Sequence, residues 1–103
     1  MRLNEYQSEA NRTAGDMRLE VCALGLSGES GEVADIIKKF VAHGHELEVQ
    51  KLIEEAGDVL WYLAALASRL GTTLELIAAS NLRKLERRYP DGFSEERSRN
   101  REE

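Results

Sequence analysis

The 103-residue sequence is 42% apolar and 32% charged, with a net charge of −5. That is enough for one domain with a modest core, and too acidic to grip nucleic acid through its phosphates, although a small nucleotide held through a bridging metal stays open. No apolar run reaches the length of a membrane span and the N-terminus lacks the basic-then-apolar layout of a signal peptide, so a soluble, cytoplasmic chain with no membrane partner is expected.

Everything before Pro90, the only proline, reads as helix. Leu3, Tyr6, Ala10, Thr13 or Ala14, and Met17 predict a short first amphipathic helix, broken near Gly15-Asp16. A second helix is predicted from about Arg18 to Ala42, on which Cys22, Leu26, Val33, Ile36 and Phe40 step by threes and fours as a buried stripe. Cys22 excludes an internal disulfide, and its place on that stripe predicts a core thiol. The same helix contains Gly25, Gly28 and Gly31, each costing about 1 kcal/mol relative to alanine. Either close packing against another helix or room for a ligand would explain them. His43-Gly44-His45 ends the helix. A histidine there faces the negative end of the dipole and Gly44 can take the left-handed cap, which is preferred here to a metal reading.

A third helix, about Glu46 to Leu70, carries the broad stripe Leu52, Ile53, Ala56, Val59, Leu60, Leu63, Ala67 and Leu70, with Glu55, Asp58 and Tyr62 along its flank. Gly71 stops it, and Thr72 or Thr73 caps a fourth helix running to about Arg88. On that helix Leu74, Ile77, Ala78 and Leu85 define the stripe, Asn81 falls in its middle, and Lys84 and Arg88 lie on its edge. After the turn signal Tyr89-Pro90-Asp91-Gly92, Phe93 is expected to dock on the body. Residues 95–103 form a charged tail, frayed helix or disordered, following a single all-α domain at 1–94.

Two short acidic repeats stand out, Glu29-Ser30-Gly31-Glu32 and Glu55-Ala56-Gly57-Asp58. Each places two carboxylates one helical turn apart on one face. Glu29 occupies the central slot of the second helix's apolar stripe, where a carboxylate is costly unless a positive charge meets it. Four carboxylates with no cysteine or histidine among them make an all-oxygen site, which suits Mg²⁺ first and Mn²⁺ or Ca²⁺ after it. The absence of any Glu-x-x-His motif sets a di-iron bundle aside. Phosphate oxygens complete the shell of such a cation, and their far side needs cationic and amide groups. Lys39, closer to the glutamate face than Lys38, and Asn81, Lys84 and Arg88 are the candidates; Tyr62 could stack on a base or sugar. Taken singly, an acidic pair is common on surface helices, Tyr62 reads as half-buried packing, and Lys84 with Arg88 reads as a solvated edge. Their coincidence with Glu29 and Asn81 in core slots favours a metal-and-phosphate site over plain scaffold.

From about Leu24 to Ser94 the chain resembles the MazG-like branch of the all-α nucleoside triphosphate pyrophosphohydrolases, a superfamily related to the dimeric dUTPases. The resemblance rests on Gly-Leu-Ser-Gly-Glu-Ser-Gly-Glu at 25–32, Glu-Glu-Ala-Gly-Asp-Val-Leu-Trp-Tyr-Leu at 54–63, and Asn-Leu-Arg-Lys-Leu-Glu-Arg-Arg-Tyr-Pro-Asp-Gly-Phe-Ser at 81–94. Tyr6-Gln7 with Arg12-Thr13 also looks like the short, single-domain members. The resemblance implies a four-helix bundle completed by assembly into homodimers or homotetramers. It implies Mg²⁺-dependent hydrolysis of a nucleoside triphosphate to monophosphate and pyrophosphate, a nucleotide-pool housecleaning activity. On it, Glu29, Glu32, Glu55 and Asp58 hold the metal, and Glu29 is the expected base for the attacking water. Lys39, Asn81, Lys84 and Arg88 contact phosphates, and Tyr62 the nucleoside. The rival expectation is a catalytically idle helical dimer that senses a nucleotide or metal.

Overall fold

The apolar stripes become helices with small shifts at their ends. In the computed structural model, which describes residues 1–100, the elements are α1 (Leu3–Asn11), α2 (Leu19–Ala42), α3 (Val49–Arg69), α4 (Leu74–Arg88) and α5 (Glu95–Arg99). Among the described residues there is no strand, only an isolated bridge between Pro90 and Gly92. None of these helices is long and apolar enough to cross a membrane. The third helix starts later than Glu46: His43 to Glu48 form the connection, with the backbone N–H groups of His43 and His45 both donating to the Lys39 carbonyl at 3.1 Å. Gly44 takes the left-handed position of that cap, at φ +69°.

α2 and α3 form an antiparallel hairpin that is the most extensive packing in the chain, and α1 lies across α3. The centre is built from small residues. Cys22, Ala64 and Ala67 are fully buried and Ala65 and Leu74 nearly so, and Tyr6, Ala10, Leu60 and Leu63 pack around Ala64, Ala67 and Leu74. Alanine lets helices approach closely but removes little apolar area from water. The larger side chains are accordingly left outside: Leu24, Val41, Ile53, Leu70 and Leu82 are all more than half exposed. Ile53 and Leu70, expected on the buried stripe of α3, stand at its uncovered ends.

The α3–α4 junction is closed by a Schellman motif: Thr72 N–H donates to the Ala67 carbonyl (2.9 Å), and Gly71 N–H to that of Ser68 (3.1 Å). Gly71 takes φ +72°, a conformation that side-chain-bearing residues avoid. The N–H groups of the first three residues of α4 are satisfied from outside the helical ladder. Leu76 N–H donates to Thr73 Oγ1 (3.1 Å), Glu75 N–H to Asn4 Oδ1 (3.2 Å), and Leu74 N–H to Gln7 Oε1 (2.7 Å). Gln7 also donates through Nε2 to Ser68 Oγ (2.9 Å) and to the Thr72 carbonyl (3.1 Å), and Asn11 Nδ2 donates to the same serine. Gln7 is buried, and its amide ties α1 to the end of α3 and the start of α4.

Beyond this tied first turn, α4 extends from the body. It packs mainly on α1 and α3, and Leu76, Ile77, Leu82 and Leu85 are exposed. Asn81 therefore lies in open solvent and not within a packed stripe, because among the described residues no element covers that part of α4. Phe93 does not dock on the body either. It is 74% exposed and meets the Tyr89 ring at a centroid distance of 5.3 Å, since both follow α4 outward. The tail begins with α5, capped by Ser94 Oγ accepting Arg97 N–H at 3.3 Å, and Arg97 Nη1 donates back to the Arg88 carbonyl at 3.3 Å. The last part of the expected tail, 101–103, lies outside the described residues.

Candidate metal centre

The hairpin places Glu29 of α2 against Glu55 and Asp58 of α3. Carboxylate oxygens of the three lie within 4.8 Å of one another, Glu29 and Glu55 half-buried and Asp58 exposed. Like charges this close resist simultaneous ionisation. The Glu29 carboxyl is accordingly raised above its ordinary value of 4.5, first by its hydrogen bond with Glu55, then by burial, then by the charges of Asp58, Glu55 and Glu32. A cluster of carboxylates this close, with only hard oxygen donors and no positive charge among them, fits a hard divalent cation. Neither His43 nor His45 belongs to it.

Glu32, expected as a fourth ligand, stands outside the three-carboxylate cluster. It is exposed and lines an adjacent cleft of about 190 Å³ with Asp35, Ile36, Lys39, residues of the α2–α3 connection including His45, and Lys51. In this cleft Lys39 Nζ is 2.9 Å from Asp35 Oδ2, and Lys38 Nζ is 3.8 Å from the other oxygen. The hydrogen bond from Lys39 lowers the Asp35 carboxyl, and the same bond raises the Lys39 ammonium, aided by the charges of Asp35, Glu32 and Glu48. Lys39 thus remains cationic, next to Glu32 but engaged by Asp35.

Tyr62 is half-buried. Its ring meets Trp61 edge to face, at 4.9 Å and 89°, and its other neighbour is the bare backbone of α2 at Gly25. Gly28 and Gly31, by contrast, face open space. The glycines of α2 therefore divide: Gly25 serves helix packing, whereas the other two leave room beside the glutamates. The remaining candidates stand on α4, which contributes nothing to the cluster: Asn81 is exposed, and Lys84 and Arg88 are half-buried.

Tyr6 was not among the expected site residues, yet it faces this region. Burial raises its phenol above the ordinary 10.0, and the Asp58 carboxylate adds to the shift. Only the local match at Tyr6-Gln7 hinted at it, because α1 and Asp58 are brought together by helix crossing and not by spacing.

The sequence profile of the MazG nucleotide pyrophosphohydrolase domain matches residues 18–93, a span that contains all three carboxylates and α4. The chain is also 35% identical over 105 aligned positions to the Gene 37 protein of Mycobacterium phage L5, covering 89% of this chain and 92% of that protein. No solved structure matches it.

Proposed function

This chain belongs to the MazG nucleotide pyrophosphohydrolase domain family, and from that premise we propose that it hydrolyses a nucleoside triphosphate to the monophosphate and pyrophosphate with Mg²⁺, for which Mn²⁺ can substitute. The observation that carries this reading is the convergence of Glu29, Glu55 and Asp58 within 4.8 Å across the α2–α3 hairpin. These three would hold the cation, with Glu32 on the flank. When bound, a divalent cation neutralises charge on the phosphate chain and makes a water more acidic. The water oxygen attacks the α-phosphorus, the bond from that phosphorus to the bridging oxygen breaks, and pyrophosphate leaves. Glu29 takes the water's proton at a carboxylate oxygen. Lys39, from the cleft beside Glu32, and Asn81, Lys84 and Arg88 of α4 supply donors to the phosphates. The biological role that follows is removal of unwanted nucleotides from the pool.

Incubating a panel of canonical and modified nucleoside triphosphates with the pure protein tests the reaction. Monophosphate and pyrophosphate appearing only with divalent metal is the expected result. Diphosphate with orthophosphate would place the cleaved bond elsewhere. Absence of turnover, with Mg²⁺ still raising the melting temperature, would mean an idle sensor.

The active unit in this reading is a homodimer or homotetramer. A compact chain of this length has a radius of gyration of about 13 Å, against 16.6 Å here. A folded monomer of 11.6 kDa exposes about 5,800 Å², against 7687 Å² here. The excess is more than twice the roughly 800 Å² per partner of a standard interface and falls in the range of obligate assemblies, about 1,000–2,500 Å² per partner. The uncovered apolar residues of α4 are the natural place for it. Light scattering at micromolar concentration should give a dimer or tetramer, and Leu85→Glu should shift it toward monomer. A monomeric native protein would reject the assembly.

A further inference from the structure

One turn from the carboxylate cluster, α2 and α3 touch without any side chain between them on the α2 side. A Cβ built on Gly25 would lie 2.1 Å from Tyr62 Cε1, 2.3 Å from Cζ and 2.6 Å from Cδ1, far inside contact distance. The Tyr62 ring therefore rests directly on the α2 backbone. Gly25 precedes Glu29 by four residues and Tyr62 follows Asp58 by four, so in the antiparallel hairpin this contact is the turn next to the cluster on both helices. The ring is also held from behind. Trp61 packs edge to face on it at 4.9 Å, Trp61 Nε1 donates to Thr13 Oγ1 (2.9 Å), and Thr13 Oγ1 donates to the Ala10 carbonyl (2.9 Å). Trp61, held by its hydrogen bond to Thr13, limits how far the ring can swing aside to admit a methyl group at position 25.

We propose that the Tyr62 ring seated on Gly25 is a spacer that sets the α2–α3 separation at Glu29, Glu55 and Asp58, making both positioning residues that tune the cluster to a small divalent cation. The proposal rests on the reading that these carboxylates hold the cation. The physical link is ion size. Mg²⁺ demands near-octahedral ligands at about 2.0–2.1 Å, whereas Ca²⁺ accepts irregular shells at about 2.3–2.6 Å. A wider hairpin penalises the smaller ion more.

The test is a titration of Mg²⁺ and Ca²⁺ into the nucleotide-free protein by calorimetry, with urea unfolding recorded alongside. Gly25→Ala should weaken Mg²⁺ binding by about ten-fold or more, in the range found when groups supporting metal ligands are altered, and Ca²⁺ binding by clearly less. Tyr62→Phe keeps the ring and should keep the native Mg²⁺-to-Ca²⁺ ratio, which separates a spacer from a hydroxyl contact. Gly25→Ala combined with Tyr62→Leu should recover part of the Mg²⁺ preference. A folded Gly25→Ala with the native ratio overturns the spacer. Should Gly25→Ala fail to fold, Tyr62→Leu, which removes the spacer and narrows the hairpin, should shift the Mg²⁺-to-Ca²⁺ ratio in the opposite direction, and an unchanged ratio there overturns the spacer equally. Native protein that binds neither ion sinks the cation site itself, and the spacer with it.

Discussion

Replacing Glu29 by glutamine should lower turnover at least about 100-fold, the usual contribution of a positioned general base, and abolish the Mg²⁺-dependent gain in stability. In the native protein a cation at 100 times its dissociation constant adds about 2.7 kcal/mol. That corresponds to roughly 10–20 °C in melting temperature for a domain of this size. Glu29→Gln, lacking one of three carboxylates and its charge, should show little of it.

Without metal the direction reverses. The folded-state Glu29 carboxyl is raised above its ordinary 4.5 by the hydrogen bond with Glu55, by burial and by neighbouring carboxylates. The folded state therefore holds the proton to higher pH than the unfolded chain. The associated stability is complete below the ordinary value and is lost as pH rises through the raised one. Metal-free native protein should lose stability on going from about pH 4.5 toward neutrality, a loss that Glu29→Gln escapes. At neutral pH the metal-free variant should then melt higher than the native protein. Thermal melts at two pH values, with and without Mg²⁺, check all of this. Turnover retained in Glu29→Gln would remove that residue from the role of base.

The second large effect is expected at Gln7, outside the three-carboxylate cluster. Gln7→Leu keeps the approximate volume but leaves the Leu74 N–H and the Thr72 carbonyl without the partners seen here. Each buried polar group left unpaired costs about 1–3 kcal/mol, so a loss of about 2–6 kcal/mol is expected against a total stability of about 5–15 kcal/mol. The break releases the first turn of α4 from α1, so α4 amides should exchange faster with solvent than those of α2. Urea unfolding measures the first effect and amide hydrogen exchange the second. A variant as stable as the native protein would mean that water replaces the glutamine amide.

Gln7 also marks where sequence reading stops. Nothing in its neighbourhood distinguishes it from a surface glutamine on a short amphipathic helix, because its partners Ser68, Thr72 and Leu74 are more than sixty residues away. Glu29 is the opposite case. Its slot among Cys22, Leu26, Val33 and Ile36 is a local periodicity, and the structure places it half-buried against α3. Glu32 separates the two kinds of information within one motif: three residues after Glu29 on the same helix, it faces the Lys39 cleft and not the cluster.

Sequence alone therefore assigns the helices, the stop at Gly71, the buried Cys22 and the place of Glu29 on the face that α2 turns toward α3. These follow from backbone periodicity and cap chemistry, which act over a few residues. Tertiary structure decides which three carboxylates converge, that Tyr62 rests on Gly25, that Gln7 anchors α4, and that Asn81 and Phe93 stay in solvent. Those outcomes depend on how helices cross and how closely they approach, and that is set by contacts between residues far apart in the chain.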